Sequence, residues 1–380
     1  MALGTVFFWV VVVWWGMALS YTLLNLAFVP KLGPPPPAGE ELPSLSVVIP
    51  ARNEAAALEA AVSSHCGQDY PGLQVVVCDD NSTDVTPAIL EKLRARHPNL
   101  VVIRGDEPPP GWLGKPNAMR RAYAAATGEM VLFVDADVRY APGVHRRAVW
   151  ELVRGSHDMV LLLSTLEGRG LEPLVLSFLD AFAVYAIPTF LVNAPRFRGF
   201  AFGAGSGNLV RREALEAIGG LEAIRAQVVD DVALGKAIKT LRGRFRLVVA
   251  FGEVRVRMYP GFFAAVEGFT KNLYSAFRRN ALLAGLGFFG DWAVHVAPLL
   301  GLALARALPG AAHLLLPASL SVAAALLCNG AMCLWTGQPL WIAPLYAART
   351  PIWTWIALRS LWRYHTRGIV WRGRTYPKGC

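Results

Sequence analysis

Met130-Val-Leu-Phe-Val-Asp135-Ala-Asp137 is the stretch on which the fold reading turns. An apolar run ends in two carboxylates spaced i, i+2. On an extended backbone those two side chains share one side. Asp135 and Asp137 are therefore expected to reach one point just past the strand's carboxyl end, where open α/β sheets hold ligands. Two hard oxygen donors there suit Mg²⁺ or Mn²⁺, which can in turn hold a diphosphate. A bare Asp-x-Asp also reads as a carboxylate pair capping a turn, and the rest of the chain has to choose between the two.

Working outward, Leu45–Ile49, Leu73–Cys78 and Leu100–Ile103 are further short runs rich in β-branched residues. Between the runs lie helical patterns at Glu54–Ser64, Thr86–Ala95 and Asn117–Thr127. Strands alternating with helices imply an α/β fold with a largely parallel sheet. Residues 44–270 read as one such domain. Within it, residues 174–192 are apolar but carry Asp180 and Pro188, and read as an amphipathic or interfacial segment of that domain.

The 380-residue chain is 54% hydrophobic and 17% charged, with mean hydropathy +0.39. That is too apolar for a soluble enzyme and too charged for a pure membrane bundle, so a soluble domain with membrane segments is expected. Residues 5–29 carry no charge and exceed the roughly 20 residues a span needs. A cleaved signal peptide fits less well, because a basic leader is missing and the apolar run continues past Ala18-Leu-Ser20. Residues 1–30 thus read as a first membrane helix. Lys31 and Pro34–Pro37 begin a stiff linker over 31–43. Residues 271–364 read as membrane or interfacial helices. Leu282–Ala305 and Ala311–Trp335 are each long enough to span. Leu340–Trp362, with Arg349, Pro344, Pro351 and Arg359, is expected to be re-entrant or interfacial. A basic tail, 365–380, closes the chain.

The net charge is +10, with basic residues clustered at Lys271–Arg279 and Arg359–Lys378. No basic–aromatic motif points to nucleic acid. A cytoplasmic membrane face with anionic lipid accounts for the charge better and places the α/β domain in the cytoplasm. Cys66, Cys78, Cys328, Cys333 and Cys380 show no metal spacing and read as buried thiols rather than disulfides. The seven histidines form no ligand pattern either.

Five polar elements follow one another. They are Val47-Val-Ile-Pro50-Ala51-Arg52-Asn53-Glu54, Val77-Cys-Asp79-Asp80-Asn81-Ser82-Thr83-Asp84, Gly111-Trp-Leu-Gly114-Lys115-Pro-Asn117, Asp135-Ala136-Asp137, and Val229-Asp230-Asp231-Val-Ala-Leu. In this order they resemble a membrane-anchored family-2 glycosyltransferase of the GT-A fold, over residues 44 to about 260. Gly111–Asn117, Asp231-Val-Ala-Leu-Gly235, Arg257-Met-Tyr259 and Val370-Trp-Arg-Gly-Arg-Thr-Tyr376 look most like the bacterial lipid-directed branch. That branch holds hopanoid-associated and carotenoid glycosyltransferases and is related to ceramide glucosyltransferase.

The resemblance implies a Rossmann-like sheet in a catalytic domain held at the bacterial cytoplasmic membrane, and transfer of a hexose from a nucleotide-sugar, a UDP-sugar, to a lipid hydroxyl. Pro50, Ala51, Arg52 and Glu54 would hold the nucleoside. Asp80 would accept from a uracil-type N–H, as an ionised carboxylate can. The Asp79–Asp84 cluster also suits caps and turns, and one or two of its members are expected to serve there. Lys115 and Asn117 would lie near the diphosphate, and Asp135 and Ala136 along the donor. Asp137 would bind the Mg²⁺ or Mn²⁺ directly, with Asp135 on the ribose or a metal-bound water. Asp231, beside Asp230, would be the general base of an inverting single displacement; relatives carry Glu-Asp here. Both acids also suit a helix start. Gly205, Ser206, Gly207 and Asn208 would wall the acceptor side, unless they form a plain turn.

One departure is clear: Gln-x-x-Arg-Trp, common in processive relatives, does not occur. Arg278, or Trp371-Arg372, would assist the diphosphate instead. This loss argues against a polymer-extruding synthase. A polyprenyl-phosphate glycosyltransferase remains a rival. So does a non-catalytic nucleotide-sugar binder, although carboxylates gathered in one cleft repel each other without a cation.

Overall fold

The computed structural model describes residues 2–198, 200–277, 280–366, 369–371 and 374–376. The chain divides into two compact units. One comprises Met1–Ala27, Leu166–Thr189 and Met258–Cys380, the other Phe28–Thr165 and Phe190–Arg257.

The strands, in chain order, are β1 (Leu45–Ala51), β2 (Leu73–Asp79), β3 (Leu100–Arg104), β4 (Met130–Phe133), β5 (Val138–Tyr140), β6 (Met159–Leu163), β7 (Thr165–Leu166), β8 (Asn208–Arg211), β9 (Phe245–Val249) and β10 (Val254–Val256). Seven of them form one sheet in the order β3-β2-β1-β4-β8-β6-β9. Only β8 runs antiparallel to its neighbours. Both faces are covered, so Val47, Val48, Ile49, Val75, Val76, Val77 and Val131 have no exposed surface. This explains runs that are apolar throughout rather than alternating. Each such side chain contributes about 1.5–3 kcal/mol by leaving water.

Register brings the strand ends level. Ala51 pairs with Asp79 and Val48 with Phe133. β2 and β3 lie on one side of β1 and β4 on the other, so the winding reverses between β1 and β4. The crevice beyond their carboxyl ends is the place for a ligand.

Two local expectations change. The first helix begins at Leu58, not Glu54, because the Ala57 and Leu58 N–H groups both donate to Glu54 O in a preceding turn. The second change is at the two carboxylates. β4 ends at Phe133, and the Val138 N–H donates back to Asp135 O at 3.3 Å. Asp135 and Asp137 therefore sit in a tight turn, and the same-side argument for an extended strand does not hold.

In the other unit, two helices are long and apolar enough to cross a membrane, Leu3–Phe28 and Pro309–Thr336. The pair Ala281–His295 and Ala297–Ala307 is a third candidate, bent by 44°. Pro298 stands in the first turn after the break, where its missing N–H costs nothing. Leu340–Trp362 is not one helix. Short turns at Leu340–Ile342 and Tyr346–Ala348 precede a polar helix, Arg349–Thr366.

The segment expected to belong to the catalytic domain belongs here for most of its length. Helix Glu172–Ala181 and the π turn Phe182–Ala186 pack Leu174, Val184 and Tyr185 with Trp15, Ala325, Met332 and Tyr346. Asn25 Nδ2 donates to Val184 O and Ile187 O, and Gln338 Nε2 to Asp180 at 2.8 Å. Arg349, 4% exposed, donates to Ser177 O, Tyr185 OH, Asn329 Oδ1 and Tyr346 O. Cys66, Cys78, Cys328 and Cys333 are buried and free. Near the end, β11 (Ile369–Trp371) pairs with β12 (Arg374–Tyr376). Arg278 and Arg372 lie outside the described residues.

Candidate active site

A cleft opens at the switch point, lined by Pro50, Lys115, Met119, Phe133, Val134, Asp135, Gly205, Asn208, Asp230 and Asp231. At its centre Lys115 Nζ stands 2.8 Å from Asp135 Oδ1 and 3.1 Å from Asp230 Oδ1. Lys115 comes from the first turn of helix Gly114–Ala124, and Asp230 and Asp231 from the first turn of helix Asp230–Arg242. Acidic residues favour that end of a helix dipole, so the plain capping role and the site role coincide.

Charge crowding shapes the titration of this group. Burial opposes the charge on Lys115, but Asp135, Asp230 and Asp231 outweigh it and hold the amine well above its usual value. Burial pushes Asp230 up to about 6; Lys115 pulls it down and Asp231 and Asp135 push it further up. Asp231 also moves up, from burial first, with Lys115 opposing and Asp135 adding.

The glycine-rich loop divides its work. The Gly205 N–H donates to the Asp231 carboxylate, and Gly205 O accepts from the Asp135 N–H at 2.8 Å. A Cβ at 205 would stand 2.1 Å from Asp135 Oδ2, so any side chain there would have to displace that carboxylate. Asn208 Nδ2 donates to Asp231 O. Ser206 turns away, donating to Leu162 O, and Gly207 packs against Tyr140. Of the four expected wall residues, Gly205 and Asn208 line the cleft.

On the nucleoside side, the loops after β1 and β2 are laced together. Arg52 Nη1 donates to Asp80 O and Asn81 O and lies 3.9 Å from Asp80 Oδ2. Asn53 and Asn81 both adopt positive φ, +53° and +52°, which asparagine tolerates. Ala51 O accepts from the Asp80 N–H, and the Glu54 N–H donates to Thr86 Oγ1. Asp79 and Asp84 serve the turn: Asp79 accepts from the Ser82 N–H and Asp84 from the Thr86 N–H. Asn117 is 1% exposed, accepts from Arg120, and does not line the cleft. Met119, Phe133 and Val134 do line it and were not anticipated. Met119 could have been found, since it follows Lys115 by four residues on one helix face.

Among the described residues, no three His, Cys, Asp or Glu side chains gather closely enough to hold a metal by themselves. Mg²⁺ and Mn²⁺ need less when a substrate diphosphate supplies ligands: one or two carboxylates suffice. Asp135 lines the cleft and offers oxygen donors of that kind, whereas Asp137, in the same turn, does not line it.

The model of "Glycosyl transferase family 21" matches residues 9–378. The chain belongs to glycosyl transferase family 21. Among relatives of this family-21 chain, the beta-monoglucosyldiacylglycerol synthase of Synechocystis is 31% identical over 251 residues, 60% of this chain and 49% of its own length. The 4,4'-diaponeurosporenoate glycosyltransferase of Staphylococcus aureus is 27% identical over 241 residues, 60% of each chain. The match thus spans about half the length of the first curated relative. A mannosyltransferase from Pyrobaculum calidifontis, solved with GDP-Man and Mn²⁺, shares the fold with TM-score 0.54 and 22% identity, over 94% of this chain and 99% of that one. The lipid-directed branch expected from the motifs is the one to which the named relatives belong.

Proposed function

We propose that this family-21 chain is a metal-dependent, inverting hexosyltransferase that moves a hexose from a UDP-sugar to the hydroxyl of a lipid, with its α/β unit on the cytoplasmic side of the membrane. The observation that carries the reading is Lys115 set among Asp135, Asp230 and Asp231 at the β1/β4 switch point. Both relatives' names carry a lipid acceptor, and candidate membrane helices flank the sheet in sequence.

In this reading Pro50, Arg52 and Asp80 hold the nucleoside where the loops after β1 and β2 meet. Lys115, released from Asp135 by the incoming donor, meets the diphosphate as a point charge. Asp135 and Asp137 would hold Mg²⁺ or Mn²⁺, which offsets charge on the leaving diphosphate. Asp231 accepts the acceptor's hydroxyl proton as that oxygen attacks the anomeric carbon from the face opposite the leaving group. Its raised pKa favours this role, since a base works best near the operating pH. Gly205 and Asn208 fix its orientation.

The test is transfer from labelled UDP-sugars to a total lipid extract by the detergent-purified chain, with and without Mg²⁺ or Mn²⁺. Wild type is expected to label a lipid. Asp231→Asn should lower turnover by about 10²–10⁴ while leaving UDP affinity within a few-fold. Long polymer, or UDP binding without transfer, would overturn the reading.

A further inference from the structure

Lys239 is 1% exposed and, among the described residues, has no acid beside it. It lies on helix Asp230–Arg242, eight residues after Asp231. Its Nζ donates to Val192 O at 2.5 Å and Phe200 O at 2.6 Å and sits 5.8 Å over the Phe245 ring. Burying a lysine against neutral groups is costly. What it holds gives it a purpose.

Asp231, Gly235 and Lys239 are spaced i, i+4, i+8 and share one helix face. The described residues of 192–208 lie along that face and meet each of them. Asn208 bonds Asp231 O, and a Cβ at Gly203 would fall 1.8 Å from that same oxygen. A Cβ at Gly235 would fall 2.0 Å from Phe202 O. Lys239 closes the far end through Val192 and Phe200. Two glycines allow the close approach and one ammonium secures it.

We propose that Lys239 is a positioning residue that clasps segment 192–208 along the helix and thereby holds the Gly205 N–H on the Asp231 carboxylate. It touches no substrate and acts through that segment. The proposal rests on the reading of Asp231 as the base.

The clasp needs a protonated amine, because a neutral one donates to carbonyls far more weakly. Burial lowers Lys239 to about 8. Among the described residues, the groups packed on its Nζ are uncharged: two carbonyls and the Phe245 ring. Arg196 and Arg198 of the clasped segment are exposed. The clasp is therefore present below about pH 8 and released above it.

The experiment compares wild type, Lys239→Met and Lys239→Arg as full-length protein in detergent. Turnover with UDP-sugar and lipid extract is followed from pH 6 to 10, alongside backbone amide exchange over 201–208. Lys239→Met should lose about tenfold or more in turnover, with UDP affinity within twofold of wild type, and about tenfold in exchange protection over 201–208. Wild-type turnover should fall above about pH 8, and Lys239→Arg, whose guanidinium stays charged, should keep its turnover there. A Lys239→Met protein protected like wild type over 201–208, or a Lys239→Arg protein with the same alkaline fall as wild type, overturns the clasp. A wild type that transfers no sugar sinks the functional reading alone, and the exchange comparison then decides the clasp.

Discussion

Lys115 and Arg349 are both largely buried cations, one in each unit, and they are held by opposite means. Lys115 stands among three carboxylates, more negative charge than it can neutralise. Arg349 donates to four uncharged acceptors drawn from helix 172–181, the π turn, the spanning helix and its own preceding turn, with the Asp180 and Asp291 carboxylates within electrostatic reach. The first arrangement leaves an imbalance that a ligand can resolve. The second is complete as it stands and ties four segments together. Unresolved charge marks a site, whereas a satisfied charge marks a scaffold.

This difference can be broken or sharpened by substitution. The largest effect is expected at Arg349→Met, which strands several buried acceptors at about 1–3 kcal/mol each, in all about 3–6 kcal/mol. Denaturation of the detergent-solubilised chain should show this loss. An unchanged midpoint would mean that the cradle holds nothing together. Lys115→Met should do the reverse. Asp230 and Asp231 already titrate high and can take up a proton instead of unfolding. Stability should move little, and turnover should fall about a hundredfold; a collapse of the fold without this kinetic loss would erase the distinction.

A smaller effect tests a third way of burying polar groups. His65 and His145 are stacked and share a 3.0 Å contact, with no acid beside them among the described residues. Burial lowers His65 to about 4, and burial with the His65 charge lowers His145 well below its usual value. The folded values lie below the unfolded 6.5. Between these limits the unfolded chain binds the extra proton. The contribution is full above pH 6.5 and is lost as pH falls toward 4. For His65 alone this is about 2 kcal/mol at pH 5. Denaturation at pH 7 and pH 5 should show a smaller acid loss in His65→Gln than in wild type. Equal losses would remove the histidines from the account.

Much of the α/β unit was legible because its signals are local. Val47–Ile49, Val75–Val77 and Val131–Phe133 are runs that only a covered parallel strand explains. Four of the five polar elements supply residues to the cleft, and the other, Val77–Asp84, lies beside it against Arg52. What escaped was set by distant partners. Nothing near Asp180 announces Gln338, and nothing near Lys239 announces the carbonyls of Val192 and Phe200. The placement of residues 166–189 with the membrane helices followed from such contacts. The two carboxylates of the first motif were read on a straight backbone, and a single hydrogen bond, Val138 N–H to Asp135 O, bent it.

Gly205 joins two peptide planes, one fastened to the Asp231 carboxylate and the next to the Asp135 amide. Two main-chain torsions of one residue thus relate the Asp135 main chain to the Asp231 carboxylate. Side chains elsewhere around the cleft can change without touching that link. A side chain at residue 205 would break it by striking the Asp135 carboxylate first.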